Sequence, residues 1–178
     1  MTDSPDAATR RAPYSDEAER GVLGCCVLDY ERGRDTCQSE GVAPDWFYVP
    51  AHRIIFEALQ TMWHKSHPVD LLTLADALKA AGKLDQVGGE SVLHNMADAV
   101  TVQYIGSYLA TVEENAQRRN VIEASRETEA SAYDGEKPIE AVLSEAQATM
   151  FRVAAPKVQE VSNIAACNER QQMARDAR

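Results

Sequence analysis

"VQYIGSYLATVEENAQRRNVIEASRETEASAY", residues Val102 to Tyr133, decides the fold of this chain. It holds no proline and one glycine, Gly106. Ile105, Leu109, Val112, Ala116 and then Ile122 draw an apolar line at helical spacing through otherwise charged sequence. That pattern predicts one long helix. "DGEKP" (Asp134–Pro138) follows as a turn signal with Pro138 suited to a first helical turn, and Ile139, Val142, Leu143, Ala146, Met150 and Val153 keep helical register beyond it. Two long helices joined by so short a connection lie antiparallel, as a hairpin. Such a hairpin cannot cover both of its apolar stripes alone, so it either folds back on the chain or meets another chain. Self-association is the sharper expectation, carried by Ile105, Leu109, Val112, Ile122, Ile139, Val142, Leu143, Ala146 and Met150. Packing within the chain is its alternative.

Downstream, Pro156 is expected to close the hairpin, and "KVQEVSNIAACNERQQMARDAR" is polar, with one more amphipathic helix readable through Val161, Ile164, Ala165 and Cys167 or Asn168. It reads as the start of a linker if the chain continues, and a frayed terminus has the same texture. Upstream, Ser15 and Asp16 offer N-cap chemistry for a helix with Val22, Leu23, Cys26, Val27 and Tyr30 on one face. "ERGRDTCQSEGVAP" then reads as a short helix and a loop. Pro50 opens a helix with His52, Ile55, Phe56, Leu59, Met62 and Trp63 in register, and Asp70 caps another with Leu71, Leu74, Ala75 and Leu78, which Gly82 ends. A further short helix runs from Glu90 through Val92, Leu93 and Met96. No period-2 alternation is present. The fold class is therefore all-α, a compact multi-helix head followed by a long antiparallel helical hairpin. The expected division is a disordered segment 1–14, a head 15–101, a hairpin 102–155 within the same domain, and a linker 156–178.

With 178 residues and 44% hydrophobic side chains the chain can bury a real core. Its 18 basic against 28 acidic residues, a formal charge of −10, oppose attraction to phosphate backbones, and the only adjacent basic pairs are Arg10-Arg11 and Arg118-Arg119. Little direct DNA binding is expected. The cysteines Cys25, Cys26, Cys37 and Cys167 show no C-x-x-C spacing and read as small core hydrophobes. No apolar run is long enough for a bilayer and "MTDSPDAATRRAP" lacks the apolar segment of a secretory signal, so no membrane and a reducing, cytoplasmic location are expected.

Catalytic chemistry is thin. Asp45 and His52 stand seven positions apart, but His52 sits on an apolar stripe and no nucleophile or orienting group accompanies the pair. His64 and His67 with His52 and Asp70 make a weak H-x-x-H cluster, followed at once by Pro68. No G-x-x-x-x-G-K-[ST] phosphate loop or G-x-S-x-G elbow occurs, and Gly88-Gly89 reads as a sharp bend. The chain is expected to have no catalytic residue, bound cofactor or metal, and not to hydrolyse ATP.

Taken in order, the landmarks resemble the N-terminal domain of bacterial replicative DNA helicases of the DnaB type. They are "EAERGVLGCCVLD" (Glu17–Asp29), Phe47-Tyr48 with His52, Ile55 and Phe56, Val69-Asp70 with Thr73, Leu74 and Leu78, and Leu84 before Gly88-Gly89 and Leu93. Tyr108, Val112, Glu114, Arg119, Ile122 and "SEAQATMF" (Ser144–Phe151) extend the match, which runs from about Ser15 to Val153. The order and spacing are specific where no single piece is. The sequence departs from the family pattern at Val92, where an aromatic is usual, and at Thr101 or Val102, where an asparagine is; both bear on local packing. The resemblance implies a helical head with His52 as a packing residue, and a hairpin by which subunits pair into the collar of a hexameric ring. It also implies primase, and in some systems the helicase loader, as partners. ATP and Mg would belong only to a separate C-terminal motor domain. A stand-alone phage or plasmid collar-like adaptor or loader is the alternative within this fold. A helical nucleic-acid-binding regulator, which would need a basic face, is the alternative outside it.

Overall fold

The structure, a computed structural model, describes residues 11–98 and 100–154; the expectations for residues 1–10 and 155–178, Pro156 and the tail helix included, lie outside the described residues. Among the described residues there are seven α-helices and no strand. α1 (Asp16–Leu28) is the central helix of the head, and α2 (Tyr30–Ser39), α3 (Pro50–His64), α5 (Glu90–Asp98) and the first half of α6 (Ile105–Tyr133) pack around it. α4 (Leu71–Ala80) lies on α3, and α7 (Ile139–Ala154) returns along the second half of α6.

α1 begins where Ser15 Oγ accepts the Ala18 N–H at 3.2 Å. It can be surrounded because two of its turns carry no side chain. A Cβ on Gly21 would stand 2.7 Å from the Tyr108 ring of α6, and one on Gly24 2.6 Å from the Met96 carbonyl of α5. Tyr30 does not extend the α1 stripe as its spacing suggested. Asp29 ends α1 and, by accepting the Arg32 N–H at 3.3 Å, starts α2. Across the α1–α2 contact the thiols of Cys26 and Cys37 touch at 3.6 Å, both buried and free, as the core reading of these residues has it. Burial pushes the Cys25 thiol up to about 11, so it stays protonated at neutral pH.

α3 buries the stripe its spacing predicts, His52, Ile55, Phe56, Leu59, Met62 and Trp63, with Pro50 at its first position. Phe56 holds Phe47 at 4.8 Å and Trp63 edge-on at 5.6 Å, giving the head an aromatic centre. α4 starts in a capping box in which Asp70 Oδ1 accepts the Thr73 N–H and Thr73 Oγ1 accepts the Asp70 N–H. The Thr73 bonds hold the Asp70 carboxyl below its ordinary range, so the cap's contribution is present above the unfolded-state pKa and fades only as pH falls through the lower folded value.

Three helices end in one motif. After α2, α3 and α4 the next backbone N–H groups turn back to the last turn, Val42 to Cys37, His67 to Met62 and Lys83 to Leu78, around a residue of positive φ. That residue is Gly41 (61°) and Gly82 (66°) in two cases but Ser66 (54°) in the third. Ser66→Gly removes the clash of a β-carbon in the left-handed region and is expected to raise stability by about 1 kcal/mol. A urea midpoint that stays put or falls would show that the Ser66 side chain compensates.

The hairpin is antiparallel. Ser131 meets Glu145 and Glu127 meets Arg152, so position rises on one helix as it falls on the other. Its division from the head differs from the expected break at 101/102. A short 3-10 turn (Val102–Tyr104) leads straight into α6, whose Ile105, Leu109, Val112 and Ala116 belong to the head's core cluster, and only the later part of α6 pairs with α7. The 1–14 segment also ends too late in the expected division, because Pro13 and Tyr14 are held on the head.

Candidate interaction surfaces

Two polar centres, one buried and one half-buried, fix the head, and neither has a reactive group in reach. Glu19, 1% exposed, faces inward from α1 and accepts the Tyr48 N–H at 2.8 Å, the Val49 N–H at 3.2 Å and a bond from His52 Nδ1 at 2.8 Å. It thus satisfies the donors just ahead of α3, where Val49 has no side chain able to cap. His52, 3% exposed, is a packing and hydrogen-bonding residue whose partner is Glu19 and not Asp45. Sequence reading gave Glu19 no role of its own. Its place three and four positions before Val22 and Leu23, on the apolar stripe itself, was the available signal.

The second centre is Arg119, which extends the α6 stripe three residues past Ala116. Its guanidinium donates to the carbonyls of Pro13 (2.9 Å), Trp46 (2.6 Å) and Asp45 (3.3 Å), and lies 5.7 Å from the ring centroid of Tyr48, on which Tyr14 stacks. Burial lowers its pKa from the ordinary arginine value, with the Glu19 carboxylate opposing that shift. Arg119→Ala is expected to cost about 1.5–3 kcal/mol, the range of hydrogen bonds to a charged group, and Arg119→Lys to recover little, because one ammonium cannot span three carbonyls. Chemical denaturation of the three proteins checks this; a lysine variant as stable as the parent would overturn it.

The remaining polar candidates disperse. Asp70 is engaged in the α4 cap, His64 and His67 are exposed near the end of α3, and no cluster of three metal-ligating side chains occurs among the described residues. Gly88 and Gly89 both take positive φ after the 3-10 turn Asp85–Val87, a bend into α5. No described helix is long and apolar enough to cross a membrane.

The residues expected to carry self-association fall into two groups. Ile105, Leu109 and Val112 are buried between α6 and the rest of the head, so that part of the expectation is corrected. The first half of α6 spends its stripe inside the chain and offers nothing there to a second copy. Ile122 is exposed, and lies two positions from Ala124, which is buried under α7, hence on the other side of α6.

α7 is edged asymmetrically. Val142 is buried on α6, and Ala146, Thr149 and Val153 follow it half-buried in the same register. On one flank Glu145 and Arg152, seven apart, tie α7 to α6. Lys137 Nζ reaches Glu145 at 2.8 Å, Ser131 Oγ donates to Glu145 at 2.8 Å, and Arg152 meets Glu127 at 3.1 Å. On the other flank Ile139, Leu143 and Met150 stand in register with nothing over them; Ile139 is 62% and Leu143 57% exposed. Tyr133 and Phe151 are more exposed still. Such a row of aliphatic side chains on a helix is a candidate surface for contact with another protein.

Comparison with known proteins gives this geometry its context. Residues 11–114 match the family described as the DnaB-like helicase N terminal domain. Over 149 residues, 83% of the chain, it is 35% identical to the replicative DNA helicase DnaC of Bacillus subtilis (strain 168), and equally to the replicative DNA helicase DnaB of Geobacillus stearothermophilus. The aligned part spans 32% of each of those relatives. Among solved structures, the N-terminal domain of DnaB helicase from Mycobacterium tuberculosis superposes with a TM-score of 0.73 at 29% identity, over 80% of this chain and 99% of that one. A structure of a DnaB-like replicative helicase and its interactions with primase shares the fold, with a TM-score of 0.66 at 24% identity, over 80% of this chain and 32% of that one.

Proposed function

We propose a role from one premise: this chain belongs to the DnaB-like helicase N-terminal domain family. It acts as a non-catalytic collar in DNA replication. Copies join through their hairpins into a dimer or a larger ring, up to a hexamer, and the assembled heads receive primase and, in systems that use one, the helicase loader. ATP hydrolysis with Mg, and movement on DNA, belong to a further domain outside this sequence, and the acidic chain itself contributes little direct DNA binding.

The observation that supports this reading best is the open aliphatic flank of α7. Ile139, Leu143 and Met150 are dressed for a dry contact, while the opposite flank is closed by ion pairs within the chain. A monomer leaves that row in water; a second hairpin laid against it removes the row from water. The reading of the heads as a primase platform draws on the fold neighbour described with its primase interactions.

Calorimetric titration with the helicase-binding domain of the same organism's primase, after measuring the light-scattering mass of both samples, tests the two parts separately. An oligomeric chain that binds saturably is the expected result. A folded chain that stays monomeric at about 100 μM, a concentration at which even weak specific contacts of several kcal/mol register, would overturn the self-association part, and absence of heat with an oligomer would overturn the primase part.

A further inference from the structure

The head carries a second apolar surface, away from the hairpin. Between α3 and α4 lies a groove of about 530 Å³ whose lining includes Ile54, Ala58, Ala77 and Ala81. It exists because α3 is apolar over a wider arc than its core stripe. Ile54 and Ala58 stand i, i+4 beside that stripe, and Ala77 on α4 and Ala81 at its C-cap repeat the spacing. Each alanine stops at Cβ, which leaves room for a trough between the two helices. Its volume is within the range in which buried side chains of a ligand are held.

The ends of the trough are polar, and one of them carries a charge opposite to that of the molecule. At one end Lys83 Nζ and Glu57 neutralise each other at 3.1 Å across the helices. At the other, Lys65 and His67 follow the last turn of α3, and no ion pair of Lys65 occurs among the described residues. The lining therefore has an unbalanced positive charge on a chain whose formal charge is −10. On an acidic chain, this end of the groove favours an acidic partner.

From the apolar trough and its cationic end we propose that the α3–α4 groove docks an amphipathic helix of another protein. That helix inserts two or three aliphatic side chains at i, i+3 or i+4, and i+7 between the alanines, and sets Asp or Glu beside them against Lys65. Helix-in-groove recognition has this form, with aliphatic anchors giving affinity and flanking charge giving orientation. The proposal does not depend on the primase reading, and its test uses this chain alone.

The probe is a display library built on a stable three-helix scaffold with one exposed helix face randomised, since isolated short helices are marginal in water. It is selected on the full chain and counter-selected on the Ala58→Trp variant, whose indole fills the trough, so that only groove binders survive. Ala81→Trp, at an exposed position, serves as the second filler should Ala58→Trp lose its helical circular dichroism. The expected survivors carry aliphatic anchors at helical spacing with acidic flanks, bind about tenfold or more weaker to the filled variants, and lose about threefold or more on Lys65→Glu, with binding that weakens in salt. No survivors, survivors with basic or uncharged flanks, or binding unmoved by Lys65→Glu would each overturn the proposal.

Discussion

Glu19→Ala is expected to cost the folded chain about 3–5 kcal/mol, since each enclosed donor left without an acceptor costs about 1–3 kcal/mol. The reason is the number of groups left behind. With the carboxylate gone, the N–H groups of Tyr48 and Val49 and His52 Nδ1 all lose their acceptor against α1. Nor is the loss local. These donors sit where the chain turns into α3, so the entry of the helix that carries Phe56 and Trp63 comes loose from α1. Urea unfolding followed by circular dichroism reads the change directly. Glu19→Gln, which keeps an acceptor but adds a donor, should fall between parent and alanine variant. A loss under about 1 kcal/mol for Glu19→Ala would mean that the donors find other partners and that Glu19 is not the keystone described above.

Leu143→Asp is expected to act in the opposite place: small on folding, large on assembly. Leu143 is 57% exposed in the single chain, so a carboxylate there stays hydrated and the helical signal and unfolding midpoint should barely move. If the α7 flank is the seam between copies, the same carboxylate must be buried without a partner in the assembly, which costs several kcal/mol and weakens association by roughly a hundredfold or more. Light scattering should show the mass falling to that of one chain. Leu72→Asp is the control, since Leu72 is also an exposed leucine but lies on α4 in the head. Equal masses for parent and Leu143→Asp would remove the α7 flank from consideration, and a fall with Leu72→Asp alone would move the seam to the head.

Much of this architecture could be read before any coordinates. The stripe of α3, the Asp70 cap, Gly82 at the end of α4 and the hairpin turn at Asp134–Pro138 are all local features, set by side chains within about one helical turn of one another, and local features are written in the spacing. What spacing does not contain is the identity of whatever covers a stripe. Ile105, Leu109 and Val112 look the same on paper as Ile139, Leu143 and Met150, yet the first set lies under α1 and the second faces outward. Glu19 was missed for a related reason. A carboxylate on an apolar face reads as a flaw until the donors that need it, 29 and 30 positions away, are brought beside it. Arg119 is harder still, because its partners are main-chain carbonyls, whose positions no residue type announces.

α6 runs unbroken from the head's core to the tip of the hairpin, with no glycine after Gly106 and no proline. A continuous helix of this kind is stiff, and its bends have specific causes that are missing here. Beyond Arg119, whose bonds to Pro13, Asp45 and Trp46 hold it to the head, it projects about 20 Å at about 1.5 Å per residue. Geometry then makes it a lever: a tilt of roughly 10° about that fulcrum sweeps the tip through about 3.5 Å, over half a helical pitch. A partner that tilts α6 within the head is therefore felt at Tyr133 as a displacement of a few ångströms.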